Sequence, residues 1–112
     1  ESTKIPFLTM PDAANAIIQL MNSSRERLSC IVYNIRSFAP TAEEFRQKLL
    51  EFFPDADIRY SINVKRQKMV DSWPADTDDG IAQNDWGWKP NHNLDKGLSE
   101  YLIPDLTKLY NN

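Results

Sequence analysis

Glycine is scarce in this chain: three in 112 residues, at Gly80, Gly87 and Gly97. Spaced that way they cannot form the glycine-rich loop that lets a backbone cradle phosphates. Cysteine and histidine occur once each, as Cys30 and His92, far apart. That excludes an internal disulfide and gives no His/Cys metal set, so no metal ligand is assigned. Cys30 stands in the apolar run Cys30-Ile31-Val32-Tyr33 and reads as a small buried hydrophobe. His92 lies in the polar stretch Asn91-His92-Asn93 and reads as exposed. A lone cysteine does not fit a disulfide-stapled secreted module. No apolar run approaches the about 18 residues of a membrane span, and no signal peptide is recognisable. The expected setting is therefore intracellular, in the cytoplasm or the mitochondrial matrix, with no membrane partner.

Excess positive charge is missing too. The net charge is −3, with acids and bases mixed along the chain, so no basic face offers itself to a nucleic acid. The one basic cluster, Lys65-Arg66-Gln67-Lys68, reads as a solvated turn. Catalytic constellations are absent as well. There is no Gly-x-Ser-x-Gly elbow and no Ser/His/Asp grouping. Asp76, Asp78 and Asp79 are best explained as charges at a helix N-terminus.

What is present is the composition of one folded unit, 41% hydrophobic and 26% charged, with no repeat, no low-complexity tract and no linker. Residues 1–112 are read as a single segment. Lys4 to Met10 reads as a short extended stretch, kept at a sheet edge by Pro6. Pro11-Asp12 opens a helix, Pro suiting the first turn and Asp the dipole. Ala13, Ala14, Ala16, Ile17, Leu20 and Met21 are spaced for its buried face. Ser29 to Ile35 is a near-continuous apolar run, which predicts a strand buried on both faces. Thr41-Ala42-Glu43-Glu44 is a capping box, followed by Phe45, Leu49, Phe52 and Phe53 on one helical face and stopped by Pro54. Asp57 to Asn63 alternates apolar and polar, predicting a half-buried strand. A short helix is expected over about Thr77 to Asn84. A final helix begins near Leu94 and carries Leu98, Leu102, Leu106 and Leu109, with Pro104 expected to kink or split it.

The stretch from Asp71 to Pro90 holds all three tryptophans. Asp71-Ser72-Trp73-Pro74-Ala75-Asp76 leads in, and Asp85-Trp86-Gly87-Trp88-Lys89-Pro90 closes it. Prolines and a glycine fix its backbone, and the indoles follow no repeating face. Taken alone, this is an irregular loop pinned by aromatic packing.

These residues resemble the C-terminal end of the extended short-chain dehydrogenase/reductase superfamily, the NAD-dependent epimerase/dehydratase type, in which a Gly-Trp-x-Pro run precedes a last helix. The Tyr33-Asn34 pair resembles one the superfamily has at the same place, and Met10-Pro11-Asp12, the Asp71-Ser72-Trp73-Pro74-Ala75-Asp76 lead-in and the Asp85-Trp86-Gly87-Trp88-Lys89-Pro90 ending look most like its short-chain-type L-threonine 3-dehydrogenases. The resemblance covers nearly the whole chain. It implies an α/β fold class: the C-terminal fragment of a Rossmann-type enzyme, holding the last sheet strand and helix plus a small α/β substrate domain. The N-terminal dinucleotide-binding domain is then absent from this chain, and NAD is bound mainly there. The family's catalytic Tyr with Lys three residues on also belongs there; none of Tyr33, Tyr60, Tyr101 or Tyr110 has such a Lys. No catalytic or cofactor-binding residue is therefore assigned in this segment, and the chain alone is expected to be inactive, not to bind NAD, and to be marginal as an isolated fold.

The resemblance further implies a parent enzyme that oxidises L-threonine with NAD to 2-amino-3-oxobutanoate, a small-molecule amino-acid substrate, and, as is frequent in the superfamily, a homodimer. Trp73, with Ser72 and Met69, is expected to bind substrate by walling its pocket; the alternative for Trp73 is core packing. Two other functions stay open. One is a nucleotide-sugar epimerase or dehydratase, which generally carries a basic Arg-Pro-Gly-Asp-like run where this chain has Asp71-Ser72-Trp73-Pro74, with Arg66 as the conceivable substitute. The other is a non-catalytic truncated module that only docks to a partner.

Overall fold

Helix α1 (Met10–Met21) begins where the Thr9 side chain caps the Asp12 amide, with Pro11 in the first turn. The structure, a computed structural model, describes residues 1–110. The buried face of α1 is narrower than its spacing predicts. Ala16 is buried and Leu20 half-buried, whereas Ile17, Ile18 and Met21 are exposed. A short 3-10 turn (Arg25–Arg27) follows.

Helix α2 (Ala42–Phe52) has the predicted capping box, with Thr41 and Glu44 bonding each other's backbone amides. The N-terminal residues lie against its entry through two isolated antiparallel bridges, Lys4 to Thr41 and Phe7 to Phe38. Phe7 stacks between Phe38 and Phe45, ring centroids 6.0 and 5.9 Å away. Helix α3 (Val64–Asp71) is started by the Asn63 side chain, which accepts from the Arg66 amide. The basic cluster read as a turn is thus a helix; its Asn cap is the signal that the charge pattern hid.

Helix α4 (Gly80–Trp86) starts three residues later than expected and ends at Gly87, whose φ of 72° only glycine adopts freely. Asp78 accepts from the Gly80 amide and Asp79 is the buried N-cap, as their position suggests. Asp76 departs from that expectation: it pairs with Arg36 at 2.8 Å. The C-terminal run comprises α5 (Leu94–Lys96), a π-helical stretch (Gly97–Leu102) and α6 (Ile103–Tyr110). Pro104 neither splits nor stops it. The Ile103 amide reaches back to the Leu98 carbonyl, and this wider turn makes room for the proline ring just beyond it.

The two predicted strands do not form. Over Ser29–Ile35 the chain is irregular and unpaired, with a bend at Ile31, and Ile31 and Val32 are exposed. Cys30, in the same run, is only half-buried. A strand needs neighbours to satisfy its backbone, and no other segment among the described residues lies alongside. Over Asp57–Asn63 side chains hold the backbone instead. Arg46 Nε donates to the Ile58 carbonyl at 3.0 Å, and the Tyr60 hydroxyl donates to Glu43. The described residues are therefore mostly helical, with bridges but no named strand, where the pattern predicts α/β.

The core is aromatic. Ala16, Ala82, Trp86 and Trp88 are buried together, flanked by Leu20, Leu28, Tyr33 and Ile35. Trp86 meets Tyr33 edge-on at 5.9 Å and Trp88 at 5.7 Å. The radius of gyration is 16.8 Å, against about 13 Å for a compact domain of this length. The chain is open, and much apolar surface faces outward.

Candidate functional site

The three predicted substrate residues fall at the exit of α3. Met69 is in its last turn, Ser72 is its C-cap and Trp73 follows. The Ser72 hydroxyl donates to the Met69 carbonyl at 2.6 Å, and the Trp73 amide donates to the Val70 carbonyl at 2.9 Å. These bonds close the helix end tightly, and the chain bends at Trp73 just before Pro74. The structure brings Met69, Ser72 and Trp73 together on an exposed corner. Trp73 is 54% exposed and lies outside the aromatic core, unlike Trp86 and Trp88. A hollow of about 670 Å³ lies on the neighbouring side of α3, lined by residues that include Thr3, Tyr60, Ile62, Arg66, Gln67 and Val70 but not Trp73.

The far end of the loop is fixed. Arg36 Nε donates to the Thr77 carbonyl at 3.0 Å while pairing with Asp76. At the near end Gln67 bridges Asp71, at 2.6 Å, to Thr3, at 2.8 Å. Between these anchors the indole is half-exposed, a large rigid surface turned partly outward.

A second polar constellation escaped the sequence reasoning. Asp12 has no exposed surface. Its carboxylate accepts from the Ser37 hydroxyl at 2.6 Å and from the Asn91 and His92 amides at 3.0 and 3.2 Å. His92 Nδ1 sits 3.0 Å from the Thr9 hydroxyl and 3.4 Å from Asp12. So His92 is not the exposed loop residue its neighbours suggest, because the loop folds back onto the start of α1. Burial acts to raise the Asp12 pKa, but the bonds from Ser37, Asn91 and His92 outweigh it and hold the carboxyl below its usual range. The arrangement fixes three segments to one another. No signal short of knowing that 12, 37 and 92 meet could have found it. Among the described residues no group of three His, Cys, Asp or Glu could hold a metal ion, and no helix is long and apolar enough to cross a membrane.

Comparison with known proteins places this geometry. No family model matches the sequence. The mitochondrial L-threonine 3-dehydrogenase of Bos taurus is 36% identical over 100 residues, which is 89% of this chain and 27% of that protein. An uncharacterized epimerase/dehydratase of Staphylococcus saprophyticus is 33% identical over 95 residues, 84% of this chain and 30% of its own. Among solved structures, the apo GalE-like L-threonine dehydrogenase of Cupriavidus necator superposes with a TM-score of 0.84 at 33% identity, over 93% of this chain and 37% of that one. The L-threonine dehydrogenase of Phytophthora infestans gives a TM-score of 0.85 at 31% identity, over 96% and 34%. The chain is a homologue of part of these enzymes. It spans between about a quarter and two fifths of their lengths, and their likeness extends through its open, strand-poor segments as well as its helices.

Proposed function

We propose that this chain is the C-terminal, substrate-side part of an NAD-dependent L-threonine 3-dehydrogenase, which oxidises the 3-hydroxyl of L-threonine to give 2-amino-3-oxobutanoate. The observation that carries the reading is the likeness of almost the entire backbone to L-threonine dehydrogenases, combined with a neutral, exposed indole on the Ser72-Trp73-Pro74 corner.

The residues of this chain do not suit the cofactor. Gly80 has the Asp78 carboxylate at its amide, Gly87 ends a helix and Gly97 packs on Phe38; none opens a phosphate cradle. NAD would therefore be held by residues outside this chain, and no step of the reaction is assigned to residues within it. Its share is to shape one wall of the pocket. Trp73 supplies a rigid apolar surface that keeps water from a small substrate, and Met69 and Ser72 set the position of that surface.

The second reading, a nucleotide-sugar epimerase or dehydratase, has the Staphylococcus relative in its favour. Against it stands Asp71, exposed next to Ser72, whose charge repels a diphosphate. A chimera separates the two: this chain replaces the matched region of the Cupriavidus enzyme, and the purified protein is offered L-threonine or a UDP-sugar with NAD. NADH formed on L-threonine supports the reading. A folded chimera that ignores L-threonine and converts the UDP-sugar sinks it.

A further inference from the structure

The loop from Asp71 to Asp76 carries Trp73, and both of its ends rest on the same two neighbouring residues. At the near end the Gln67 side-chain amide donates to Asp71 Oδ1 at 2.6 Å and to the Thr3 hydroxyl at 2.8 Å. At the far end Asp76 lies 4.0 Å from the Lys4 ammonium and 2.8 Å from Arg36 Nε. Thr3 and Lys4 are themselves held. The Thr3 carbonyl accepts from the Ala42 amide at 2.8 Å, and Lys4 bridges to Thr41. The base of the loop is therefore tied to the start of α2.

Between its ends the loop has no such tie. Ser72 and Trp73 bond back only to Met69 and Val70 at the helix exit. Among the described residues no hydrogen bond joins 72–75 to another segment. The direction of the indole thus follows from where the exit of α3 sits against Thr3. Gln67 is half-buried, and among the described residues it is the one side chain of α3 hydrogen-bonded to the N-terminal segment. An amide suits this place: one nitrogen supplies two donors, one for a hydroxyl and one for a carboxylate.

We infer that Gln67 is a positioning residue: its double bond to Thr3 and Asp71 fixes the exit of α3 and so sets where the Trp73 indole meets the substrate. This rests on the reading of Trp73 as a wall of the L-threonine pocket, and Gln67 acts through that wall. A Gln–Asp pair four residues apart on a helix adds little to stability; the link to a third, separate segment gives it a positional effect. A misplacement of about 1 Å in a site costs on the order of a hundredfold in rate, so a bond of small weight in folding has a large one in turnover.

The test uses the chimera carrying Gln67→Met, which keeps the side-chain length and removes both donors. kcat for L-threonine falls at least about fivefold, while NAD affinity and Tm stay at the parent values. Thr3→Val removes the acceptor from the other side and gives the same fall, the double variant is no worse than either single one, and Thr3→Ser recovers most of the rate. On a Trp73→Ala background Gln67→Met has no further effect. A Gln67→Met chimera that turns over L-threonine at the parent rate overturns the inference and leaves the functional reading standing. A full additional fall on the Trp73→Ala background also overturns it, because the effect of Gln67 then does not pass through the indole. If Gln67→Met lowers the Tm, Thr3→Val decides by the same measures. A chimera inactive on L-threonine sinks the functional reading instead, and the isolated chain then decides the tether. Trp86 and Trp88 are buried, so acrylamide quenching of the chain's fluorescence reports on Trp73. Faster quenching in both Gln67→Met and Thr3→Val supports the tether, and quenching unchanged in both overturns it.

Discussion

Ser37 donates its hydroxyl to Asp12 Oδ2 across 2.6 Å, linking the first turn of α1 to a segment 25 residues further along. Both residues are buried, and the same carboxylate takes the amides of Asn91 and His92. Asp12→Ala leaves those three donors without an acceptor. The expected loss is about 3 kcal/mol or more, read by urea denaturation.

The same site sets an acid limb. The folded-state pKa of Asp12 lies below its ordinary value of 3.8. Its contribution to stability is therefore fully present above that value and is lost as pH falls through the lower, folded one. Stability measured against pH should fall less steeply below pH about 4 in Asp12→Asn than in the parent chain. Equal acid limbs would remove Asp12 from the list of groups that govern acid unfolding.

The Glu43 carboxylate accepts the Tyr60 hydroxyl and pushes its pKa up to about 12. An ultraviolet titration should show a tyrosine step near pH 12. Glu43→Gln should lower that step, and Tyr60→Phe should delete it.

Thr41→Ala removes the cap of α2 and should cost about 1 kcal/mol. Thr41→Ser, which keeps the hydroxyl, should recover most of that loss.

Gly97 lies where a Cβ would come within 2.8 Å of a Phe38 ring carbon. Gly97→Ala should destabilise by about 1–3 kcal/mol through that overlap, and Phe38→Leu should relieve part of it.

Local chemistry was legible in the sequence. Thr41 and Glu44 announce the α2 cap and Pro11 the start of α1, because each acts on backbone within a few residues. Burial was misread where no described segment covers an apolar residue. Ile31 and Val32 carry a central strand's pattern yet face outward, and Ile17 and Met21 sit at core spacing yet stay exposed. Asp57–Asn63 alternates like a strand but is held by Arg46 and Glu43, which no periodicity encodes. His92 and Asp12 lie 80 residues apart, so their meeting could be read only from the fold. Of the candidate site, the exposure of the corner at Met69, Ser72 and Trp73 was not legible, because it depends on what the rest of the fold leaves uncovered.

The most direct test of the account is the kcat/KM of the chimera for L-threonine, measured with and without Trp73→Ala. The account predicts NADH production by the chimera, a fall of at least about tenfold in kcat/KM on losing the indole, roughly 1.4 kcal/mol of transition-state stabilisation, and an unchanged Tm, since Trp73 is half-exposed. NAD affinity should stay the same. A folded chimera with no L-threonine activity, or a Trp73→Ala variant that turns over L-threonine at the parent rate, would contradict the assignment of this chain to the substrate side of the enzyme.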